Sequence, residues 1–352
     1  MNLTFVISSN GFGHLKRVTS VLHLILEYNK KLNIFIVCND IKKKIIKRDK
    51  LLKNLRFCTS IMKHEINWLS PDKNALNQYL KWKNNFEKST VIKKSDLIVS
   101  DNLVIPLFSN KKSILMGSFL WHDVIDTINP TFNKIAETEK NILLTKRPKI
   151  ICLESMYMNS ISKYTTTIKV PWFTNRIKIT KFHKNKEVLI TGGGTDQLDE
   201  ILLSIANKIH YKSFIKIFLD EKLYNKYKKY NTSNTIFFQF DFKEQSFGAL
   251  TTIICRPGIG ILTECVKYSI PAIAVYDNSN KEISHNAKKI SALKIGSSIH
   301  IKNTFVSDYY VKKIKNIINS RAVLTKYTKE ILKQDINGAK KATDVILKEL
   351  NL

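Results

Sequence analysis

Twice in this chain an apolar strand pattern stops at a glycine loop and restarts as an amphipathic helix, each time at the opening of one half. Phe5-Val6-Ile7-Ser8-Ser9 reads as a strand, Asn10-Gly11-Phe12-Gly13-His14 as the loop, and Leu15 to Tyr28 as a helix with Val18, Val21, Leu22, Ile25 and Leu26 turned inward. Val188-Leu189-Ile190-Thr191 then runs into Gly192-Gly193-Gly194-Thr195-Asp196 and a helix, Leu198 to Ile209, whose apolar face is Ile201, Leu202, Ile205 and Ile209. Strand, tight glycine turn and helix in that order make the repeating unit of a parallel sheet covered by helices. Two such openings predict an α/β chain of two doubly wound, Rossmann-like domains facing each other across a cleft. With 352 residues the chain exceeds one average domain and can bury two cores.

A third unit lies at Thr252 to Ala287. The β-branched run Thr252 to Cys255 stops at Arg256-Pro257-Gly258-Ile259-Gly260, and a helical pattern follows with Leu262, Cys265 and Val266 on one side. A loop at the carboxyl end of a strand is where open α/β sheets bind ligands. Gly258 and Gly260 let backbone approach a phosphate without a Cβ in the way, and the first free N–H groups of the helix attract negative charge. Glu264 is expected in the first turn of that helix, where a carboxylate can accept two ribose hydroxyls. A short strand (Ala272 to Tyr276) and a polar loop (Asp277 to His285) follow. Taken alone, the same residues fit a plain strand–helix turn with a dipole-favoured acidic residue.

Composition narrows the partners. The formal net charge is +29, but Lys is spread through every segment among abundant Asn and Ile. Runs such as Ile41-Lys42-Lys43-Lys44-Ile45-Ile46-Lys47-Arg48 fit an amphipathic helix face as readily as a binding site. Such a field favours anionic partners, including nucleotides and acidic membrane surfaces. No nucleic-acid signature accompanies it, so specific nucleic-acid binding is not expected. No stretch of 18 or more apolar residues occurs, and the chain opens directly on a strand, which together predict a cytoplasmic protein. The five Cys at 38, 58, 152, 255 and 265 are scattered without a C-x-x-C pair and read as reduced small hydrophobes; neither a disulfide nor a metal site is expected.

Three motifs together resemble the two-domain GT-B glycosyltransferases, especially the MurG-like (family 28-like) group: NGFGHLKR at 10–17, TGGGTDQ at 191–197, and RPGIGILTE at 256–264 with its trailing NKEISHNA at 280–287. The resemblance covers both halves in order, while about 48 to 180 matches only loosely. It implies an N-terminal acceptor domain over 1–175, a C-terminal nucleotide-sugar domain over 186–325, and a final helix, 326–352, returning to the N-terminal domain. Carried over, Gly258, Ile259 and Gly260 face the diphosphate, Glu264 the ribose diol, Gly193 and Gly194 the same phosphates, and Glu282 the donor sugar's hydroxyls. Gly13, Thr195 and Arg256 complete the implied donor set. The family pattern has two consecutive Gln where this chain has Glu282-Ile283, which leaves the donor sugar open. UDP is the family default, the nucleotide sugar is a substrate and no separate cofactor is implied. MurG-like enzymes often act on lipid-linked acceptors, so the resemblance leaves room for peripheral membrane contact as well as for glycan or small-molecule acceptors.

His14, directly after G-x-G, sits at a helix start whose dipole would lower its pKa and suit it to general-base work. A lone His there is otherwise an ordinary surface or capping residue; related transferases place a His here, and some orient it with an Asp at the end of a later strand. Leu97-Ile98-Val99-Ser100 ends in Asp101, which fits that role or that of a turn residue before Asn102. The implied reaction is direct displacement at the anomeric carbon with inversion and no metal; the chain has no Asp-x-Asp motif. A nucleotide-sugar hydrolase or epimerase on the same scaffold, and a binding protein on a decayed one, stay open. Trp68, Trp82, Trp121 and Trp172 punctuate the middle region, and the loop Met116 to Asp123 is either an acceptor-stacking wall or ordinary packing. Pro171 to Lys186 reads as the linker. Ala339, Ala342, Val345, Ile346 and Leu350 form the apolar stripe of the last helix.

Overall fold

A computed structural model describes residues 1–11, 13–68, 73–124, 130–177, 186–194, 196, 198–210, 215–230, 236–302 and 306–352. The chain divides into two compact units, one of residues 1–174 and 335–352, the other of residues 175–334.

The first unit is built on a parallel sheet of seven described strands: β1 (Asn2–Ile7), β2 (Asn33–Val37), β3 (Arg56–Cys58), β4 (Leu97–Asp101), β5 (Ser113–Met116), β6 (Lys149–Leu153) and β7 (Thr166–Val170). They lie in the order β3-β2-β1-β4-β5-β6-β7. Strand order therefore reverses between β1 and β4, and the register there sets Ile7 opposite Asp101. Strands covered by helices on both faces read as continuous apolar runs, which is why β4 is buried along its whole length. The helix Gly13–Tyr28 leaves β1 through the first glycine loop and buries Val18, Val21, Leu22 and Ile25.

The second unit repeats the plan with β8 (Lys186–Thr191), β9 (Ile215–Leu219), β10 (Phe238–Gln239), β11 (Thr252–Cys255), β12 (Ala272–Tyr276) and β13 (Gly296–His300), in the order β10-β9-β8-β11-β12-β13. Its reversal falls between β8 and β11, so the second and third glycine loops leave adjacent strands side by side. All described strand pairs in both sheets are parallel. The doubly wound α/β reading thus holds in both halves.

The helix Arg321–Leu332 belongs to the second unit, and the chain re-enters the first at Asp335. The helix Gly338–Glu349 then packs Ala342 and Ile346 into the same apolar cluster as Leu22 and Ile25. Glu349 at its end pairs with Lys112 at 3.0 Å and with Lys149. The stretch read as a linker begins as core of the first unit: Trp172 and Phe173 are buried, and Phe173 bridges Asn337. Two large apolar side chains gain more from that core than from solvent. Residues 178–185 of that stretch lie outside the described residues.

The re-entry point tolerates little. Gly338 donates its N–H to Trp172 O at 3.0 Å, and a Cβ on it would stand 2.1 Å from Pro171 O. Backbone cannot swing aside as a side chain can, so Gly338→Ala is expected to cost about 1–3 kcal/mol. That lowers the thermal midpoint by several degrees, at roughly 2–4 °C per kcal/mol for a unit of this size. Gly248→Ala, where a Cβ meets nothing within 4 Å, should leave the midpoint unchanged or raise it. Equal midpoints for the two variants in differential scanning calorimetry would contradict the tight crossing.

Candidate functional site

The reversal between β1 and β4 brings together residues 87 positions apart. Asp101, the last residue of β4, has no exposed surface and accepts from His14 Nδ1 at 2.7 Å. Arg17, one helical turn beyond His14, donates to the same carboxylate through Nε at 3.0 Å and Nη2 at 2.5 Å. Burial alone would push the Asp101 carboxyl up; Arg17, and after it His14, more than reverse this and hold it below the ordinary carboxylate range. An ionised carboxylate only accepts, so Nδ1 carries the hydrogen and Nε2 keeps its lone pair. No other described residue hydrogen-bonds the ring.

His14 keeps 12% of its side chain exposed. Burial is the largest influence on it and lowers its pKa below the ordinary histidine value; Asp101 opposes this, and Lys42 and Arg17 reinforce it. The lowering expected from the helix dipole thus has burial as its main cause. Nothing in the sequence named Arg17, although its i, i+3 spacing from His14 puts the two side chains on one helix face.

The first glycine loop is held from beneath. Glu65 accepts from Ser8 Oγ at 2.7 Å, Ser9 N–H at 2.7 Å and Asn10 Nδ2 at 3.2 Å. Lys42 donates Nζ to Ser8 O. Within the lysine run that reads as a solvated helix face, Lys42 is only 2% exposed. Gly11 takes φ +66°, a left-handed turn that suits glycine.

The aromatic residues of the middle region are core. All four Trp are buried. Trp68 and Trp121 stack with centroids 5.7 Å apart, and Trp121 lies 6.3 Å from the His14 ring. His122, also in that loop, pairs with buried Glu139 at 3.3 Å. Packing therefore decides the Met116–Asp123 loop, even though one indole flanks His14.

In the second unit, Gly193 adopts φ +70° and stands exposed with Gly194; Thr195 lies outside the described residues. Asp220, just past β9, accepts from Thr191 Oγ1 at 2.7 Å and from Gly192 N–H at 3.0 Å, fixing the root of this loop. The helix that follows, Asp199–His210, has Asp199 and Glu200 in its first turn, and buried Asp199 pairs with Lys222 at 2.8 Å. Its N-terminus is already supplied with carboxylates.

The third loop differs. Gly258 is the N-cap of the helix Ile259–Lys267, and no side chain caps it. Gly258 has φ −72°, open to any residue, and a Cβ there would meet nothing within 4 Å. Its use is the room it leaves before the free N–H groups of Ile259, Gly260 and Ile261. Glu264 is buried on the second turn rather than in the first, because the helix starts only at Ile259, after the Pro257-Gly258 turn. Asn286 Nδ2 donates to Pro257 O at 2.9 Å and to Glu282 Oε1 at 3.3 Å. That ties RPGIG to the helix Lys281–Ala292 across 29 positions. Arg256 has its pKa lowered by burial, with Glu282 and then Asp277 acting against the shift, so guanidinium and carboxylates share one neighbourhood.

Among the described residues no group of three or more His, Cys, Asp or Glu is gathered as a metal site, and all five Cys are free. No described helix is long and apolar enough to cross a membrane.

No family model matches the chain, and no curated protein matches it. Solved structures do. The glycotransferase of kitacinnamycin superposes with a TM-score of 0.65 at 11% identity, covering 99% of this chain and 98% of its own. MurG of Acinetobacter baumannii gives 0.64 at 13%, covering 99% of both. The spinosyn rhamnosyltransferase SpnG, solved with thymidine diphosphate, gives 0.63 at 12%, covering 97% of this chain and 99% of its own. The fold is thus that of the GT-B glycosyltransferases, MurG among them.

The depressed groups fix the sign of the pH dependence. Both His14 and Asp101 have lowered folded values, so each contributes stability that is present above its unfolded pKa and lost as pH falls through its folded one. For His14 the loss begins near the unfolded value of about 6.5. Urea midpoints of the wild type should fall between pH 7.5 and 5.5, and His14→Gln should flatten that interval. The same drop in both proteins would remove His14 from the acid limb.

Proposed function

We propose that this chain, having the GT-B fold, is a glycosyltransferase that moves a sugar from a nucleotide-sugar donor to a hydroxyl acceptor with inversion and without a metal ion. The contact that carries this reading is His14 Nδ1 to Asp101 at 2.7 Å. It fixes the tautomer that leaves Nε2 as a base, and Arg17 keeps Asp101 ionised while it does so. The lowered pKa of His14 supports a ring that rests unprotonated at neutral pH, as a general base requires.

In the proposed reaction Nε2 takes the proton of the acceptor hydroxyl while that oxygen attacks the anomeric carbon. The bond from that carbon to the diphosphate breaks on the opposite side, and the diphosphate departs with the electron pair. On the donor side, the uncapped N–H groups after Gly258, together with Arg256, meet that developing charge; Gly193 and Gly194 approach the same phosphates. Glu264 is assigned to the ribose diol and Glu282 to the donor sugar. Gly13, beside the base, and Thr195 complete the set. UDP is the proposed donor nucleotide; SpnG carries thymidine diphosphate in its solved complex, which makes TDP the alternative, and acceptor class, cytoplasmic location and peripheral membrane contact belong to the same proposal.

A thermal-shift panel of UDP, TDP, GDP and ADP is the direct test, because a ligand bound only by the folded state raises the midpoint. One diphosphate should stabilise the protein, and Glu264→Ala should weaken its affinity by roughly 10–100-fold through loss of hydrogen bonds to a charged group. His14→Ala should lower transfer by about 10²–10⁴-fold and leave that affinity intact. Binding with no diphosphate would sink the donor site. Undiminished turnover in His14→Ala would sink the base, and release of sugar to water alone would make the protein a hydrolase.

A further inference from the structure

We propose that Lys42 is a positioning residue for His14: it holds the Ser8 carbonyl at the root of the loop that carries His14, and its charge completes a neutral buried set in which the imidazole rests without a proton. A lysine is almost never fully buried without a defined partner. This one is 2% exposed and spends its ammonium on Ser8 O, one residue past the Ile7 that pairs with Asp101.

The charges around the loop can be counted. Asp101 and Glu65 bring two negatives: burial pushes the Glu65 carboxyl up, but both of its oxygens accept hydrogen bonds, from Ser8 Oγ and the Ser9 N–H, as an ionised carboxylate does, and Lys42 opposes the shift; Arg17 and Lys42 bring two positives. The sum is zero only while His14 is neutral. Facing His14 are Asp101, Arg17 and Lys42, and facing Lys42 are Glu65, Asp101 and the Cys38 thiol. A proton on the imidazole would leave the set one positive charge in excess within a poorly solvated site. Removing the lysine charge leaves it one negative in excess, and the same proton becomes welcome.

Burial also brings Lys42 down to about 8, against the pull of Glu65 and Asp101. The lysine charge is therefore present at neutral pH and lost on the alkaline side, so the wild type carries its own internal titration of the neighbour.

The consequence for a base is direct, and it rests on the transferase reading only there; the charge coupling itself is measurable without turnover. The ring signals of His14, assigned by their loss in His14→Gln, are followed by ¹H–¹³C NMR from pH 4.5 to 10. In Lys42→Met the His14 pKa should rise by about one pH unit, the order expected from losing one nearby charge in a medium of effective dielectric about 20. Lys42→Arg, which keeps the charge, should restore the wild-type value. If the Met variant does not fold, the wild-type titration still decides: the His14 signals should show a second small step near pH 8 as Lys42 loses its proton. A His14 pKa unmoved in Lys42→Met, an equal shift in Lys42→Arg, or no second step anywhere on the alkaline side up to pH 10 would overturn the coupling. Failure of the base assignment reads out separately, as turnover surviving His14→Ala.

Discussion

Asp101 has no exposed surface, and a carboxylate in that position is stable only with its charge and its lone pairs met. Arg17 and His14 meet both, and they do so from a single helix because that helix leaves β1 beside the strand that ends in Asp101. The sheet's reversal between β1 and β4 is what opens the space. The pairing therefore links backbone topology to the protonation state of one imidazole. Losing Asp101 would strand a buried guanidinium as well as untether the ring, and breaking a buried pair from one side typically costs about 3–5 kcal/mol. Stability and the proposed chemistry share this carboxylate.

Much of this was legible in the residues because parallel-sheet units are local in sequence. A strand, a glycine turn and a helix occupy about 25 consecutive positions, and their periodicities differ. The pairing of His14 with Asp101 was also within reach, since Asp101 ends one strand and His14 follows the loop at the carboxyl end of another. What could not be read depends on contacts between distant segments. Lys42 and Glu65 meet beneath the first loop from separate elements, and in a chain of net charge +29 one buried lysine looks like its neighbours. Periodicity alone sets Glu264 one turn too early, because Pro257-Gly258 delays the helix by a few residues that a periodic pattern does not resolve. The four Trp could as well have been a sugar-stacking wall; only the surrounding core decides that they are packed.

The two halves of the last motif, grouped in the sequence only by the family resemblance, are joined by a long-range contact. Asn286 reaches the carbonyl of Pro257 and the carboxylate of Glu282 from one amide. Its buried position leaves the amide little freedom, so the glycine loop and the following helix that carries Glu282 keep one relative placement. Residues assigned to diphosphate and donor sugar are thus fixed to each other before any ligand arrives. Preorganisation of this kind lowers the ordering cost of binding.

The three glycine loops look alike in the sequence, yet their chemistry differs in what already occupies the backbone donors. In the first, Glu65 accepts the Ser9 N–H and the Ser8 hydroxyl, so an internal carboxylate stands where an external anion would compete. In the second, Asp220 takes the Gly192 N–H, and the helix beyond it carries Asp199 and Glu200 in its first turn. Both arrangements compete with an incoming anion, although Gly193 and Gly194 stay exposed beyond the second. The third offers a helix start with no capping side chain and open space at Gly258. On the proposed reaction, this difference favours residues 256–260 for the leaving diphosphate and leaves the first loop to carry His14. That division of labour is what a displacement reaction needs, since the base must stay neutral while the leaving group gathers charge.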